Sequence, residues 1–237
     1  MFGDRDRVLP IWPLLKDSPV VQLFGWSTLA HQAFETNRDL FSPASRFQEH
    51  DEWHLDGLLA LHLRRGDFLE HCKNLCRWSA DFNAFNRFPE FVDPWERPEG
   101  PDHHRMDVYL RRCVPTVEQI VEKVGEIRAS HAGQGLRNIY IMTNGDVQWL
   151  DELKKALRQV HAWEHIATSR DMVFTWEEKF VSQSMDMMIG ERAQVFVGNG
   201  VSDPFQEYIQ LKVDSCIVLE SVVERRDASY GEVASSR

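Results

Sequence analysis

The segment His62-Leu63-Arg64-Arg65-Gly66-Asp67-Phe68 carries the side chains in this chain that are best suited to chemistry. It directly follows Leu58-Leu59-Ala60-Leu61, an apolar run with the length of a buried parallel strand. In open α/β sheets, ligands bind outside the carboxyl ends of the strands. Two adjacent guanidinium groups at such an end favour an anionic ligand, because the planar fork of arginine matches phosphate oxygens. The sequence therefore predicts the phosphate-facing edge of a nucleotide site.

A second candidate phosphate contact is the glycine-containing turn Gly198-Asn199-Gly200-Val201-Ser202. Glycines between a strand and a helix let backbone N–H groups approach a phosphate. A plain tight turn is the commoner explanation of Gly-x-Gly. The turn is not a Rossmann fingerprint, and the absence of a Walker lysine motif from the sequence excludes a P-loop ATPase.

Asp186 is an acidic residue between methionines on a largely apolar predicted helix. Burying it without a partner would be costly, so one interpretation places it on the solvated side of the helix or at a cap. The functional interpretation is that its carboxylate accepts hydrogen bonds from N1–H and N2–H₂ of a guanine ring. His62, as a lone histidine at a strand end, is more often a structural side chain.

The four cysteines do not predict a zinc site. Cys72 and Cys76 form a Cys-x₃-Cys pair beside His71, but a zinc site would need a second paired cluster, and none occurs. We expect roles without metal, either as free thiols or with one structural disulfide. The sequence leaves these alternatives open for Cys72 and Cys76.

Composition narrows the class of protein. The chain has 237 residues, a net charge of -10 and a pI near 5.5, which argues against a nucleic-acid binder with a basic footprint. No apolar run is long enough for a transmembrane helix, and the first residues lack the apolar core of a signal peptide. We therefore expect the chain, as given, to be cytoplasmic.

The first half of the chain predicts few regular elements. Val20 to Phe24 is expected to be a strand, and Thr28 to Leu40 a helix with Ser27 as its cap. Several prolines and little periodicity predict an irregular loop on the ligand face. The predicted organisation is a frayed terminus (1–15), one α/β domain (16–220) with an irregular insertion at about 72–114, and a disordered tail (221–237).

The second half alternates helices and strands. Thr116 is expected to cap a helix with apolar residues at helical spacing, and a buried strand follows at 138–144. Helices are then predicted from about Val147 to Val160 and from about Phe180 to Arg192, before the strand Gln194 to Val197. This alternation predicts a doubly wound, Rossmann-like parallel sheet.

Three segments together resemble the GDP-fucose protein O-fucosyltransferases and their fungal relatives. They are His62 to Phe68, the strand Ile139-Tyr140-Ile141-Met142-Thr143-Asn144, and Asp186 through Gly200. Their order and spacing are similar to the three motifs that the family shares with α1,6- and α1,2-fucosyltransferases. The resemblance covers about residues 15 to 202.

The resemblance implies one lobe of a GT-B glycosyltransferase fold that binds GDP-fucose as donor, inverts the anomeric centre and needs neither metal nor another cofactor. By position, Arg64 would be the catalytic residue that holds the diphosphate and stabilises charge on departing GDP. His62 and Asp186 would contact the guanine and nucleoside, and Ser202 would bind phosphate. The acceptor would be a protein or glycan hydroxyl, and full-length members would lie in the endoplasmic reticulum or Golgi.

Two departures from the family pattern leave three functions open. We expect the amino-terminal lobe of the family to be absent, because few residues precede the strand that leads into Arg64, and Ser202-Asp203-Pro204 replaces a hydroxyl-rich stretch. Asp203 would cap a helix beside the diphosphate and repel it. The alternatives are a fucosyltransferase, a catalytically impaired nucleotide-binding module of the same fold, and an unrelated domain that binds a sugar nucleotide or nucleoside phosphate.

Overall fold

The computed structural model describes residues 10–42, 54–66, 68–82, 95–199 and 216–218. The predictions for Asp67, Ser202, Asp203 and the tail 221–237 lie outside these residues. The described helices are α1 (Trp12–Lys16), α2 (Pro19–Gln22), α3 (Thr28–Thr36), α4 (Phe68–Arg77), α5 (Asp102–Cys113), α6 (Val117–Ala129), α7 (Val147–Val160) and α8 (Ser182–Arg192). The strands are β1 (Leu55–Leu63), β2 (Asn138–Thr143), β3 (His165–Thr168), β4 (Ala193–Gly198) and β5 (Cys216–Val218).

The five strands form one sheet in the order β3-β2-β1-β4-β5, and every neighbouring pair is parallel. This arrangement confirms the predicted parallel α/β fold. The arginine strand β1 is the central strand, with His62 opposite Met142 of β2 and Gly198 of β4. The carboxyl ends of the three strands therefore meet at one edge of the sheet.

Helices cover both faces of the sheet, as a doubly wound fold requires. On one face, Leu58 and Ala60 of β1 pack with buried residues of α3 and α8. On the other face, Leu59 and Leu61 pack with α6 and α7. Because successive strand residues alternate between faces, the apolar run of β1 serves both layers.

Trp12–Lys16 forms a short helix at the end of the predicted terminal segment. One amino-terminal prediction was wrong. Val20 to Phe24 is not a strand, because Pro19–Gln22 forms a helical turn with Pro19 at its start. Proline suits the first helical turn, since its missing N–H has no intrahelical partner there. The helix capped by Ser27 is confirmed, although it ends at Thr36 and a 3₁₀ turn (Arg38–Leu40) follows.

The described parts of the insertion at about 72–114 contain two helices, α4 and α5, where the sequence had predicted an irregular segment. Cys72, Leu75 and Cys76 are the buried residues of α4, and Tyr109, Arg112 and Cys113 those of α5. Both sets have helical spacing, which the neighbouring prolines obscured. A disulfide joins Cys72 to Cys113, and Cys76 is a buried free thiol.

Most predicted elements of the second half are confirmed. Thr116 and Gln119 form a capping box at the start of α6, and α7 runs from Val147 to Val160. The last helix begins at Ser182, after a 3₁₀ turn that includes Phe180. The sequence pattern did not indicate β3 or β5. These described segments are only four and three residues long, too short for a clear pattern.

Two glycines, Gly125 and Gly133, give a matched test of the packing around α6. A Cβ at Gly133 would lie 1.9 Å from the carbonyl oxygen of Ile127, whereas a Cβ at Gly125 of α6 meets nothing within 4 Å. We expect Gly133→Ala to lower the free energy of unfolding by about 2 kcal/mol or more. Gly125→Ala should raise it by about 0.5–1 kcal/mol, because alanine is the better helix former. Urea unfolding measures both, and equal effects would contradict the described packing.

Candidate functional site

The carboxyl end of β1 is held by an asparagine from the strand on one side. The side-chain amide of Asn199, directly after β4, accepts a hydrogen bond from the Arg64 N–H at 3.1 Å. Its Nδ2 donates to the Arg64 carbonyl at 2.7 Å and to the Cys113 carbonyl at 2.6 Å. Asn199 is fully buried. One amide therefore fixes the backbone of Arg64 and ties it to the end of α5.

A second asparagine, from the strand on the other side, does the same for the next residue. Asn144, directly after β2, accepts a hydrogen bond from the Arg65 N–H at 2.7 Å, and its Nδ2 donates to the Arg65 carbonyl at 3.1 Å. The hydroxyl of Thr143 also donates to the Leu63 carbonyl at 2.6 Å. In a parallel sheet, successive residues bond to opposite neighbours, so the two side chains continue the hydrogen-bond ladder beyond the last strand residue.

This extended path sends the two guanidinium groups to opposite faces of the sheet. The guanidinium carbon of Arg64 lies 3.9 Å from the ring centroid of Phe68, the first residue of α4. That of Arg65 lies 4.2 Å from the ring of Trp149 on α7. Both distances are within the range of cation–π attraction. The neighbouring aromatic rings therefore orient both arginines.

Arg65 has a structural hydrogen bond that the sequence did not indicate. Its Nη1 donates to the carbonyl of Pro115 at 2.7 Å. Burial lowers the pKa of its guanidinium, and Asp146 opposes that change. Arg65 also lines a cavity of about 520 Å³ between α6 and α7, together with side chains of both charges, including Glu118, Glu152 and Lys155. This environment is not selectively anion-binding, which sets Arg65 apart from Arg64.

The Cys113–Pro115 segment connects both arginines to α4. The carbonyls of Cys113 and Pro115 accept hydrogen bonds from Asn199 and Arg65, respectively. The sulfur of Cys113 is bonded to Cys72 on α4, the helix that begins with Phe68. The disulfide therefore joins α4, which carries the ring beside Arg64, covalently to the Cys113–Pro115 segment.

Asp186 lies on the same side of the sheet as His62. His62 alternates with Ala60, which packs against α8, the helix that carries Asp186. The Asp186 carboxylate accepts a hydrogen bond from the Tyr140 hydroxyl at 2.9 Å. The Asp186 carboxylate is largely buried, although part of the residue remains accessible to solvent. Burial raises the pKa of Asp186 to about 7, and the hydrogen bond from Tyr140 acts against that rise.

The structure describes the positions of three of the four predicted site residues. His62 and Arg64 lie in sequence at the carboxyl end of the central strand, and Asp186 lies on the helix over the same face. Ser202 lies outside the described residues. A cation at the sheet edge and a carboxylate over the adjacent face suit a ligand that has a phosphate end and a hydrogen-bond-donating end.

The sequence did not indicate the roles of three residues of this site: Asn144, Asn199 and Tyr140. A signal was present for the asparagines, because each follows a buried strand and precedes a glycine. No local signal indicated the partnership of Tyr140 and Asp186, which are 46 residues apart. Over the described part of the chain, no cluster of three or more His, Cys, Asp or Glu side chains could hold a metal ion.

A family model described as GDP-fucose protein O-fucosyltransferase matches residues 20–215. This match spans most of the sequence, including both arginines and Asp186. The chain belongs to this O-fucosyltransferase family. A search of curated proteins gives no significant match.

Two solved structures resemble this O-fucosyltransferase family member in fold. They are the crystal structures of POFUT1 in its apo form and in complex with GDP-fucose, each 20% identical in sequence. The TM-scores are 0.49 and 0.50, and the alignments cover 84% of this chain. They cover 48% of POFUT1, so the chain spans about half the length of that protein. The likeness to the complex, at a TM-score of 0.50, gives this chain the fold of a GT-B glycosyltransferase over the aligned residues.

None of the described helices of this family member is both long and apolar enough to cross a membrane.

The two asparagines should contribute unequally to stability. Asn199→Ala would leave buried backbone groups of Arg64 and Cys113 without these hydrogen bonds, so we expect a loss of about 2–4 kcal/mol in the free energy of unfolding. Asn144→Ala should cost about 1 kcal/mol, because water can replace its exposed hydrogen bonds. Chemical denaturation measures both values. A larger loss for Asn144→Ala would contradict this account.

Proposed function

We propose that this chain binds GDP-fucose and serves transfer of fucose to a protein or glycan hydroxyl. The observation that carries the proposal is the position of Arg64. In a chain that belongs to the O-fucosyltransferase family, the arginine of its first motif lies at the carboxyl edge of the central parallel strand. Ligands bind at this edge in open α/β folds. The proposal requires GDP-fucose as the donor substrate and no separate cofactor.

In the proposed mechanism, Arg64 holds the diphosphate and is the catalytic residue. Fucosyl transfer passes through an oxocarbenium-like state in which negative charge develops on the leaving GDP. A cation held in place before the reaction stabilises that charge without reorganising. The bonds from Asn199 to the Arg64 backbone and the ring of Phe68 supply this orientation. From the resemblance to the family, we further propose that the reaction is inverting and independent of metal.

Donor recognition is proposed to involve three further residues. His62 contacts the nucleoside from β1, and Asp186 accepts hydrogen bonds from guanine N1–H and N2–H₂. A carboxylate suits two parallel N–H donors because its two oxygens can each accept one. Ser202, in the third motif, is proposed to bind phosphate.

A catalytically impaired binding module is the second candidate. Asp203 follows Ser202 in the stretch where the family has hydroxyl residues. A carboxylate there would repel the diphosphate by roughly 4 kcal/mol at about 4 Å and an effective dielectric of about 20. This substitution favours weaker donor binding with little or no transfer.

The disulfide bears on the proposed compartment. Bonds such as Cys72–Cys113 form and persist in oxidising compartments and are rare in the cytosol. We therefore favour the endoplasmic reticulum or Golgi over the cytoplasmic location expected from the sequence as given.

Nucleotide preference tests the proposal. Since Asp186 offers a carboxylate to a base with two adjacent donors, we expect GDP to bind at least about tenfold more tightly than ADP or UDP, equivalent to about 1.4 kcal/mol. Isothermal titration calorimetry at a pH above the Asp186 pKa of about 7 measures this difference. Equal affinity for the three nucleotides would contradict the guanine role.

A transfer assay then separates the two candidates. The chain is incubated with GDP-fucose and acceptor proteins, with and without a chelator, and fucosylated product is detected by mass spectrometry. Product formed equally in both conditions supports a metal-independent transferase. Tight GDP binding without product supports the impaired module.

The two arginines give a matched pair for the phosphate role. Arg64→Lys keeps the charge but loses the planar fork, so GDP affinity should fall about ten- to a hundredfold. Arg65→Lys should change GDP affinity by less than about threefold, because Arg65 faces Trp149 and Pro115 on the opposite side. Calorimetry measures both, with thermal unfolding as the check of folding. A larger effect of Arg65→Lys would contradict the assignment of Arg64 to the phosphate.

A further inference from the structure

Tyr140 is a buried side chain whose hydroxyl reaches a residue of the candidate site. Its ring is fully enclosed in the layer between β2 and α8 and makes an edge contact with Phe41 at 6.0 Å. Its hydroxyl reaches the partly buried Asp186 and donates to Oδ1 at 2.9 Å. A buried tyrosine normally needs such a partner. The partner here is a residue of the candidate site rather than a backbone carbonyl.

This contact restricts how Asp186 can present its carboxylate. Each carboxylate oxygen can accept more than one hydrogen bond, so Oδ1 can keep Tyr140 while both oxygens still accept from a ligand. Rotation of the carboxylate away from this position would break a charge-assisted hydrogen bond at a crowded place. The rigid tyrosine, on a strand in the middle of the sheet, therefore fixes the acceptor pair of a residue on a neighbouring helix.

We propose that Tyr140 is a positioning residue for base recognition, whose hydroxyl orients the Asp186 carboxylate toward the two N–H donors of guanine. This inference rests on the proposed function, because it assigns a second residue to the same nucleotide site. It makes Tyr140 a determinant of base preference, although Tyr140 itself does not touch the base.

The hydrogen bond also has an electrostatic consequence. Burial raises the pKa of Asp186 to about 7, and the Tyr140 hydroxyl lowers it because the hydroxyl stabilises the ionised form. The N–H donors of guanine bind the ionised form of Asp186 more strongly than the protonated form. GDP affinity should therefore rise as the pH rises through this pKa. Loss of the hydroxyl raises the pKa further, which moves the midpoint of the affinity curve to higher pH.

Other ionisable groups near α8 have partners of their own. Glu191 accepts a hydrogen bond from the Trp26 indole at 2.7 Å, and Glu178 accepts one from the Thr175 N–H at 2.7 Å. Asp171, which acts on Tyr140, accepts hydrogen bonds from Thr168. Arg192 is a further charged group on α8 itself. The other ionisable groups on the elements packed against α8 are His31, Glu35, Asp56, His62 and Lys179.

Tyr140→Phe tests the proposal, because it removes one hydroxyl and keeps the ring. Tyr109→Phe is the matched control: Tyr109 is equally buried, but its hydroxyl donates to the Ala80 carbonyl in a different cluster, at 2.6 Å. Calorimetry with GDP and ADP, on either side of the Asp186 pKa of about 7, is carried out on both variants and on the unchanged chain.

We expect Tyr140→Phe to weaken GDP binding about fivefold, the size of one hydrogen bond, and to leave ADP binding nearly unchanged. Its GDP affinity curve should shift to higher pH. Tyr109→Phe should change neither the preference nor the curve. In an Asp186→Ala background, Tyr140→Phe should have no further effect on GDP affinity, because the acceptor of the Tyr140 hydroxyl is absent.

Three results are decisive. A Tyr140→Phe variant with the affinity, base preference and pH curve of Tyr109→Phe would overturn the proposal. If the unchanged chain does not prefer GDP over ADP, the proposed function fails, and the positioning role fails with it. If Tyr140→Phe does not fold, 3-fluorotyrosine at position 140 replaces it. As a stronger donor of similar shape, it should move the midpoint to lower pH, and an unmoved midpoint would also overturn the proposal.

Discussion

The central strand of the sheet ends where its backbone still needs hydrogen-bond partners on both sides. Beyond Leu63, β2 and β4 no longer supply main-chain groups, and unpaired backbone groups in a buried place are costly. Side chains of Asn144 and Asn199 take over this function. They keep Arg64 and Arg65 in an extended path, so one guanidinium reaches each face of the sheet. The candidate site depends on this arrangement, because it leaves Arg64 on the face that also carries Asp186.

Much of the architecture could be predicted because its signals are local. The apolar run before His62 has the length of a buried strand, and the Thr116 capping box lies within four residues of sequence. Alternating helices and strands then predict a parallel sheet, which the structure confirms. The failures are also local in origin. Val20 to Phe24 has strand-like composition, but Pro19 starts a helical turn there, and prolines around α4 and α5 masked their helical spacing.

The details of the candidate site could not be predicted because they depend on contacts between distant segments. Asn199 bonds to Arg64 across 135 residues and to Cys113 across 86. The strand order and register determine which backbone group each asparagine binds. Neither can be deduced from a single segment of the sequence. Tyr140 appears in the sequence as one apolar residue of a strand. Only the packing of α8 over β2 shows that its hydroxyl meets Asp186.

The Cys72–Cys113 disulfide also affects how the chain would respond to cleavage by proteases. The two cysteines are 41 residues apart, and closing a loop of that length lowers the free energy of folding by about 4 kcal/mol in the chain-entropy account. A single cut between them opens the loop but leaves both pieces covalently joined. The Cys113 carbonyl that Asn199 binds therefore stays covalently attached to α4 after such a cut. Nicked and intact chains would separate on a gel only after reduction.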